Sequence, residues 1–138
     1  MNEMLEGREW RKKDGASDEA IEKLRDVGPL VLPESYAALL SFSNGGEGPL
    51  PVQPLWLALH AAEEVIEIEQ QGTFKEFFPG FFVIGSNGGG EAIAFDLRTV
   101  GLYPLVAFDM TNIDLVESVW PIAPDFDAFL DLIGLSDE

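Results

Sequence analysis

The side chains able to do chemistry here are carboxylates above all: 138 residues carry 25 Asp and Glu against 8 Lys and Arg, with one histidine, His60, and no cysteine. Two acids serve as general acid and base when the fold sets their pKa values apart, and Glu91, Asp96 and Asp109 fall where strand ends or turns are expected. At this abundance, however, acidic pairs also meet by chance. A lone histidine cannot build a zinc cluster, and a Ser-His-Asp relay would have to be assembled around His60 alone. Without cysteine there is no disulfide, no thiolate metal site and no thiol nucleophile. The stretch "DMTNID" at 109–114 starts like a calcium loop, but Thr111 and Ile113 stand where Asp or Asn ligands are needed and no glycine follows. No metal, no cofactor and no reaction of its own are expected.

The remaining chemical candidate is "VIGSNGGGEAIAFD" at 83–96. Gly85 and Gly90 have the outer spacing of a phosphate-wrapping loop, whose next residues should be Lys and Ser or Thr. Glu91 and Ala92 follow instead, so a carboxylate would repel the phosphate and no hydroxyl remains for magnesium. The dinucleotide pattern fails as well, because Ile93 stands where its third glycine belongs. A hairpin turn between two strands uses such glycines equally well, and Gly89→Val is then expected to cost about 1–3 kcal/mol through backbone strain.

Charge narrows the partners. Residues 1–25 hold six basic and seven acidic residues, whereas residues 26–138 hold two basic and eighteen acidic, so the body carries −16 of the net −17. Such a surface repels nucleic-acid backbones and anionic lipid, which bind by exchanging counterions for Lys and Arg. It attracts basic proteins and speeds their association, although acidity also simply confers solubility. Ten Phe and 3 Trp argue against an acidic disordered chain. The start of the chain is charged throughout, and the longest apolar run, around "FFPGFFVIG", is too short to span a bilayer, so a cytoplasmic protein without a membrane partner is expected.

The elements that must position these groups alternate between helical and strand periodicity. "SDEAIEKLRDVGP" predicts a helix capped by Ser17 and stopped by Gly28-Pro29; "LPESYAALLSFSNGG" predicts a second, with Pro33 in its first turn and Asn44-Gly45-Gly46 as its C-terminal cap. "PLWLALH" reads as a strand and "AAEEVIEIEQQ" as a helix with Glu63, Glu64 and Glu67 facing water. "GFFVIGS", "EAIAFDL" and "LYPLVAFD" predict an antiparallel meander, "VESVWPIAP" a further short strand, and "DFDAFLDLIG" a closing helix capped by Asp125. Trp56 and Trp120, inside apolar segments, are expected to be buried, and Trp10 is the candidate surface anchor. The fold class is α+β in one domain over 17–138, with a mixed, largely antiparallel sheet, preceded by a charged N-terminal extension over 1–16.

Three stretches together resemble the SUKH superfamily, in its Smi/Knr-type branch. Leu32, Pro33, Tyr36, Asn44, Gly45 and Gly46 match the first hallmark of that family; Ile84, Gly85, Gly88, Gly89, Gly90, Glu91 and Asp96 match the second. Ile122, Ala123, Phe126, Phe129 and Leu130 match the third, the closing helix. The resemblance implies a mixed sheet packed with helices and a function of binding rather than catalysis. Bacterial members are often immunity proteins that neutralise nuclease or deaminase toxins, and fungal relatives are intracellular regulatory scaffolds. A basic toxin domain is thus the expected partner, with Glu47, Glu91, Asp96, Asp109 and Asp114 as candidate contacts because loops and strand ends present side chains to partners. The oligomeric state is not legible.

Overall fold

The computed structural model describes residues 5, 7–27, 31–72, 76, 80–98, 103–109 and 119–135. Ser17 starts the first helix, α1 (Asp18–Val27), by accepting a hydrogen bond from the Ala20 N–H at 3.1 Å, and its apolar face buries Ile21 and Leu24. Pro33, with φ of −59°, precedes α2 (Glu34–Phe42), which buries Tyr36, Ala37, Leu39 and Leu40. Gly28 and Pro29, the expected stop of α1, lie outside the described residues.

The end of α2 departs from expectation. Ser43 closes it in an extended conformation, and Gly45 and Gly46, at φ of 103° and 110°, turn the chain into a strand, β1 (Gly46–Pro49). The sequence "GEGP" carries no strand propensity, so β1 is a product of its neighbours. A Cβ at Gly48 would lie 2.4 Å from the Glu9 carbonyl oxygen and 2.8 Å from the Trp10 ring, and one at Gly46 would lie 2.6 Å from the Arg11 carbonyl oxygen. The glycines therefore make room for the incoming N-terminal segment. Trp10 Nε1 and the Lys13 N–H both donate to Ser43 Oγ, at 3.2 and 3.0 Å, and the Arg11 N–H donates to the Glu47 carbonyl at 2.8 Å. Arg8 ties the segment to the end of the chain, donating to the Leu130 and Ile133 carbonyls.

The chain continues as β2 (Trp56–Leu59), α3 (Ala62–Gln71), β3 (Phe81–Ser86), β4 (Glu91–Asp96), β5 (Leu105–Asp109), β6 (Val119–Ala123) and α4 (Phe126–Leu130), an α+β arrangement. The six strands lie in sequence order, and every pair is antiparallel. The helix α3 lies between β2 and β3; the β1–β2 and β3–β4 connections turn at the opposite end of the sheet, which we call the hairpin end. Asp125 caps α4 by accepting from the Ala128 N–H at 2.9 Å.

The centre of the sheet is buried on both faces, so its strands read as unbroken apolar runs rather than alternating ones. One face sends Phe82, Ile84, Ile93, Phe95, Leu105 and Ala107 into the helices. The other carries Phe81, Val83, Ala92, Ala94, Val106 and Phe108. A register shift between Val83 and Gly85 places one extra residue in β3. Against the helical face, Tyr36 meets Phe95 and Phe126 with centroids 5.4 and 5.2 Å apart, and Phe126 meets Phe129 at 5.6 Å. Offset and edge contacts of this kind add to the area that each ring buries. The Leu-Pro-x-x-Tyr signature is thus a core signature: burial also pushes the Tyr36 phenol far above its ordinary pKa, which keeps it neutral.

Candidate protein-docking site

Strand direction decides which candidate acids come together. β1 ends, β2 begins, β3 ends, β4 begins and β5 ends at the hairpin end, so Glu91 and Asp109 stand there as direct cross-strand partners. Glu47 lies three strands from β4, in β1 at the sheet margin, opposite Ala58, whereas Glu91 and Asp109 alternate with Ala92 and Phe108 and so take the face of Ile93 and Ala107. Because side chains alternate along a strand, Glu47, Trp56 and Ala58 share the face turned away from Leu57 and Leu59. There the Trp56 indole N–H donates to Glu47 Oε1 at 3.0 Å, while Arg11 Nη1 approaches Glu47 Oε2 at 3.9 Å. Trp56 and Trp120 are half-buried rather than enclosed, since each belongs to a short strand near a margin of the sheet.

Asp96 lies at the other end of β4. It is buried and held by Arg98, whose Nε and Nη2 donate to its two oxygens at 3.0 and 2.9 Å and whose backbone N–H donates at 2.9 Å. Burial opposes its ionisation, but the hydrogen bonds and charge of Arg98 outweigh that and hold the carboxyl below its ordinary range. The Arg98 guanidinium also stacks over Phe81, 4.8 Å from the ring centroid. Asp114 lies outside the described residues.

The glycine turn also lies at the hairpin end. Asn87 Oδ1 accepts from the Gly89 and Glu91 N–H groups at 2.9 and 3.2 Å, Asn87 Nδ2 donates to Glu91 Oε1, and Ser86 Oγ accepts from the Gly88 N–H. Gly88 has φ of +81° and needs to be glycine; Gly89 and Gly90 are outside that region. A Cβ on Gly89 would meet only Asn87 Oδ1, at 3.4 Å, and one on Gly90 would meet nothing within 4 Å. The backbone strain expected at Gly89 therefore belongs to Gly88. Beside this turn, a Cβ on Gly88 would touch Trp56 at 3.9 Å, and the β1–β2 connection exposes Val52 and Leu55.

Two depressions are formed by described residues. One of about 460 Å³ is bordered by Lys13, Asn44, Glu47, His60 and Glu64. In it, His60 Nδ1 is buried without a hydrogen-bond partner. A hydrolytic relay requires a carboxylate on that nitrogen to orient the ring, so this arrangement does not form one. Desolvation pushes the His60 pKa down, and Glu64 counteracts only part of the shift. Asn44 beside it is structural, because its Oδ1 accepts from the Ala62 N–H at 2.7 Å and its Nδ2 donates to Glu63 at 2.8 Å. The second depression, about 670 Å³, lies between α1 and α2, where Arg25 bridges Glu22 and Glu34.

The arrangement offers acceptors and apolar surface at one end of the sheet, with no nucleophile beside an oriented base among the described residues, and residues 15–132 match the sequence pattern of the SMI1 / KNR4 family (SUKH-1). The chain belongs to the SMI1/KNR4 family. No curated protein matches it. SMI1/KNR4 domains are generally non-catalytic, and their superfamily includes immunity proteins. No helix among the described residues is long and apolar enough to cross a membrane. Sequence reasoning missed three features of this SMI1/KNR4 domain: the Trp56–Glu47 bond, the outward Leu55 and the capping role of Asn44. Only the first left a signal, since the alternation of Trp56 with Leu57 and Leu59 already turns the indole away from the core.

Proposed function

We propose that the chain is a non-catalytic protein-binding domain of the bacterial immunity type, which neutralises a basic toxin domain of the nuclease or deaminase class in the cytoplasm. The observation that carries this reading is that Glu91 and Asp109 pair across β4 and β5 at the hairpin end, while Glu47 is bonded to Trp56 on the opposite face of the same sheet, in a body whose charge is −16 over residues 26–138. A toxin that cleaves or edits nucleic acid needs a basic groove, and covering that groove with carboxylates blocks substrate and toxin chemistry together. Long-range attraction raises the association rate, while short-range packing sets the dissociation rate. Asp96, at the opposite end of β4, is engaged by Arg98 in this reading, and Asp114 remains a further proposed contact.

The test is stopped-flow association with basic toxin domains of the nuclease or deaminase class, at ionic strengths from about 0.02 to 0.5 M, over which the Debye length falls to a few ångströms. The association rate is expected to drop at least tenfold across that range, and again when Glu47, Glu91 and Asp109 are reversed to Lys, with the dissociation rate changing far less. Unchanged rates in the reversed variant reduce the acidity to a solubility device. Binding to a neutral signalling protein without any salt dependence would instead support a regulatory scaffold.

A further inference from the structure

We infer that the Gly88–Gly90 turn is an arginine-reading contact, at which the backbone of the turn and the Trp56 ring receive a guanidinium from a basic partner. This rests on the protein-binding reading above and specifies its chemistry. Three glycines stand in the turn, but the backbone requires only Gly88; Gly89 and Gly90 are exposed, and Gly90 faces open space. Asn87 and Ser86 already satisfy the turn's own N–H groups at Gly88, Gly89 and Glu91. Among the described residues no backbone carbonyl of Gly88, Gly89 or Gly90 accepts a hydrogen bond. The turn therefore presents acceptors without side chains in front of them, and another chain can approach to backbone contact.

The surroundings select the donor. Trp56 lies against Gly88 and is fixed by its bond to Glu47, so the ring offers a stacking surface of set orientation. The exposed Val52 and Leu55 of the neighbouring connection add apolar area, with Leu55 held at φ of +73°, a conformation costly for a leucine. Its backbone is held there by the turn, the Leu55 N–H donating to the Val52 carbonyl at 2.8 Å and the Leu55 carbonyl accepting from the Leu50 N–H at 2.9 Å. Acceptors, a fixed aromatic face and carboxylates on either side match guanidinium better than ammonium: guanidinium donates through a planar fork and stacks on rings, whereas ammonium is a hydrated point charge.

The experiment is a titration of the isotopically labelled full chain with nona-arginine, nona-lysine and nona-glutamate peptides at low salt, followed by amide and indole N–H chemical shifts. Nona-arginine is expected to bind several-fold more tightly than nona-lysine, with the largest shifts at Asn87–Glu91 and the Trp56 indole, and nona-glutamate not at all. Gly90→Leu keeps both charge and backbone geometry; it should leave the urea midpoint unchanged and weaken nona-arginine binding at least tenfold. Gly89→Leu provides the same comparison from the neighbouring position. Equal affinity for the two cationic peptides, or unchanged affinity in both glycine variants, overturns the inference. Shifts centred on Asp18, Glu22 and Glu34 would move the contact to the α1–α2 depression and overturn this site while leaving a basic partner in place. No binding by either cation would count against both readings.

Discussion

His60 shows how one buried nitrogen ties stability to pH. Its folded pKa is pushed below the ordinary value of 6.5 because desolvation disfavours the charged ring. Between the two values the unfolded chain binds more protons than the folded one, so stability rises with pH there. Above pH 6.5 both states are neutral and the full stability is present; below it, stability falls until the folded value is reached. Urea unfolding between about pH 5 and 7.5 should show this decline, and His60→Gln should flatten it. An NMR titration that places the folded pKa above 6.5 would contradict the assignment of desolvation as the dominant cause.

At the scale of elements, α3 begins without a polar residue of its own at the cap, since Ala61 occupies that position. The first turn borrows instead: Glu64 reaches back to the Ala61 N–H at 2.9 Å, and Asn44 supplies the acceptor for Ala62 from outside the helix. Asn44→Ala is expected to cost about 1 kcal/mol and to speed hydrogen exchange at Ala62–Val65 while leaving α1 unchanged. Equal acceleration in both helices would refute a local role. This contact explains why the Asn-Gly-Gly stretch was misread as a helix terminator from sequence. Ser17, Asp125 and the apolar strand runs announce their elements locally, through caps and periodicity, and those elements were legible. β1 was not, because its residues have no strand propensity and are recruited by a segment more than thirty positions earlier. The candidate site was legible by the same rule. Glu91 and Asp109 follow from strand ends, whereas the Glu47–Trp56 pair depends on β1 and needed the fold.

The whole molecule combines a strongly acidic body with a charge-balanced opening segment that lies on it. Arg8, Trp10 and Arg11 contact α4, Ser43 and β1, and Leu5 enters the main core. The position of Trp10 over Gly46 and Gly48 has a consequence for self-association. Take the segment away and β1 becomes a bare sheet margin, flat because two of its four residues lack side chains, with backbone donors and acceptors turned outward. Such a margin is a template on which a second copy adds its own strand, and proteins avoid this by covering it. Removal of residues 1–13 should therefore convert a well-behaved solution into one that forms larger species, measurable by light scattering as a mass that grows with concentration. The intact chain should keep a constant mass over the same range. Repulsion between acidic bodies would slow this growth at low salt and release it as salt is added, so the truncated chain should assemble faster under the very conditions that weaken its attraction for a basic partner.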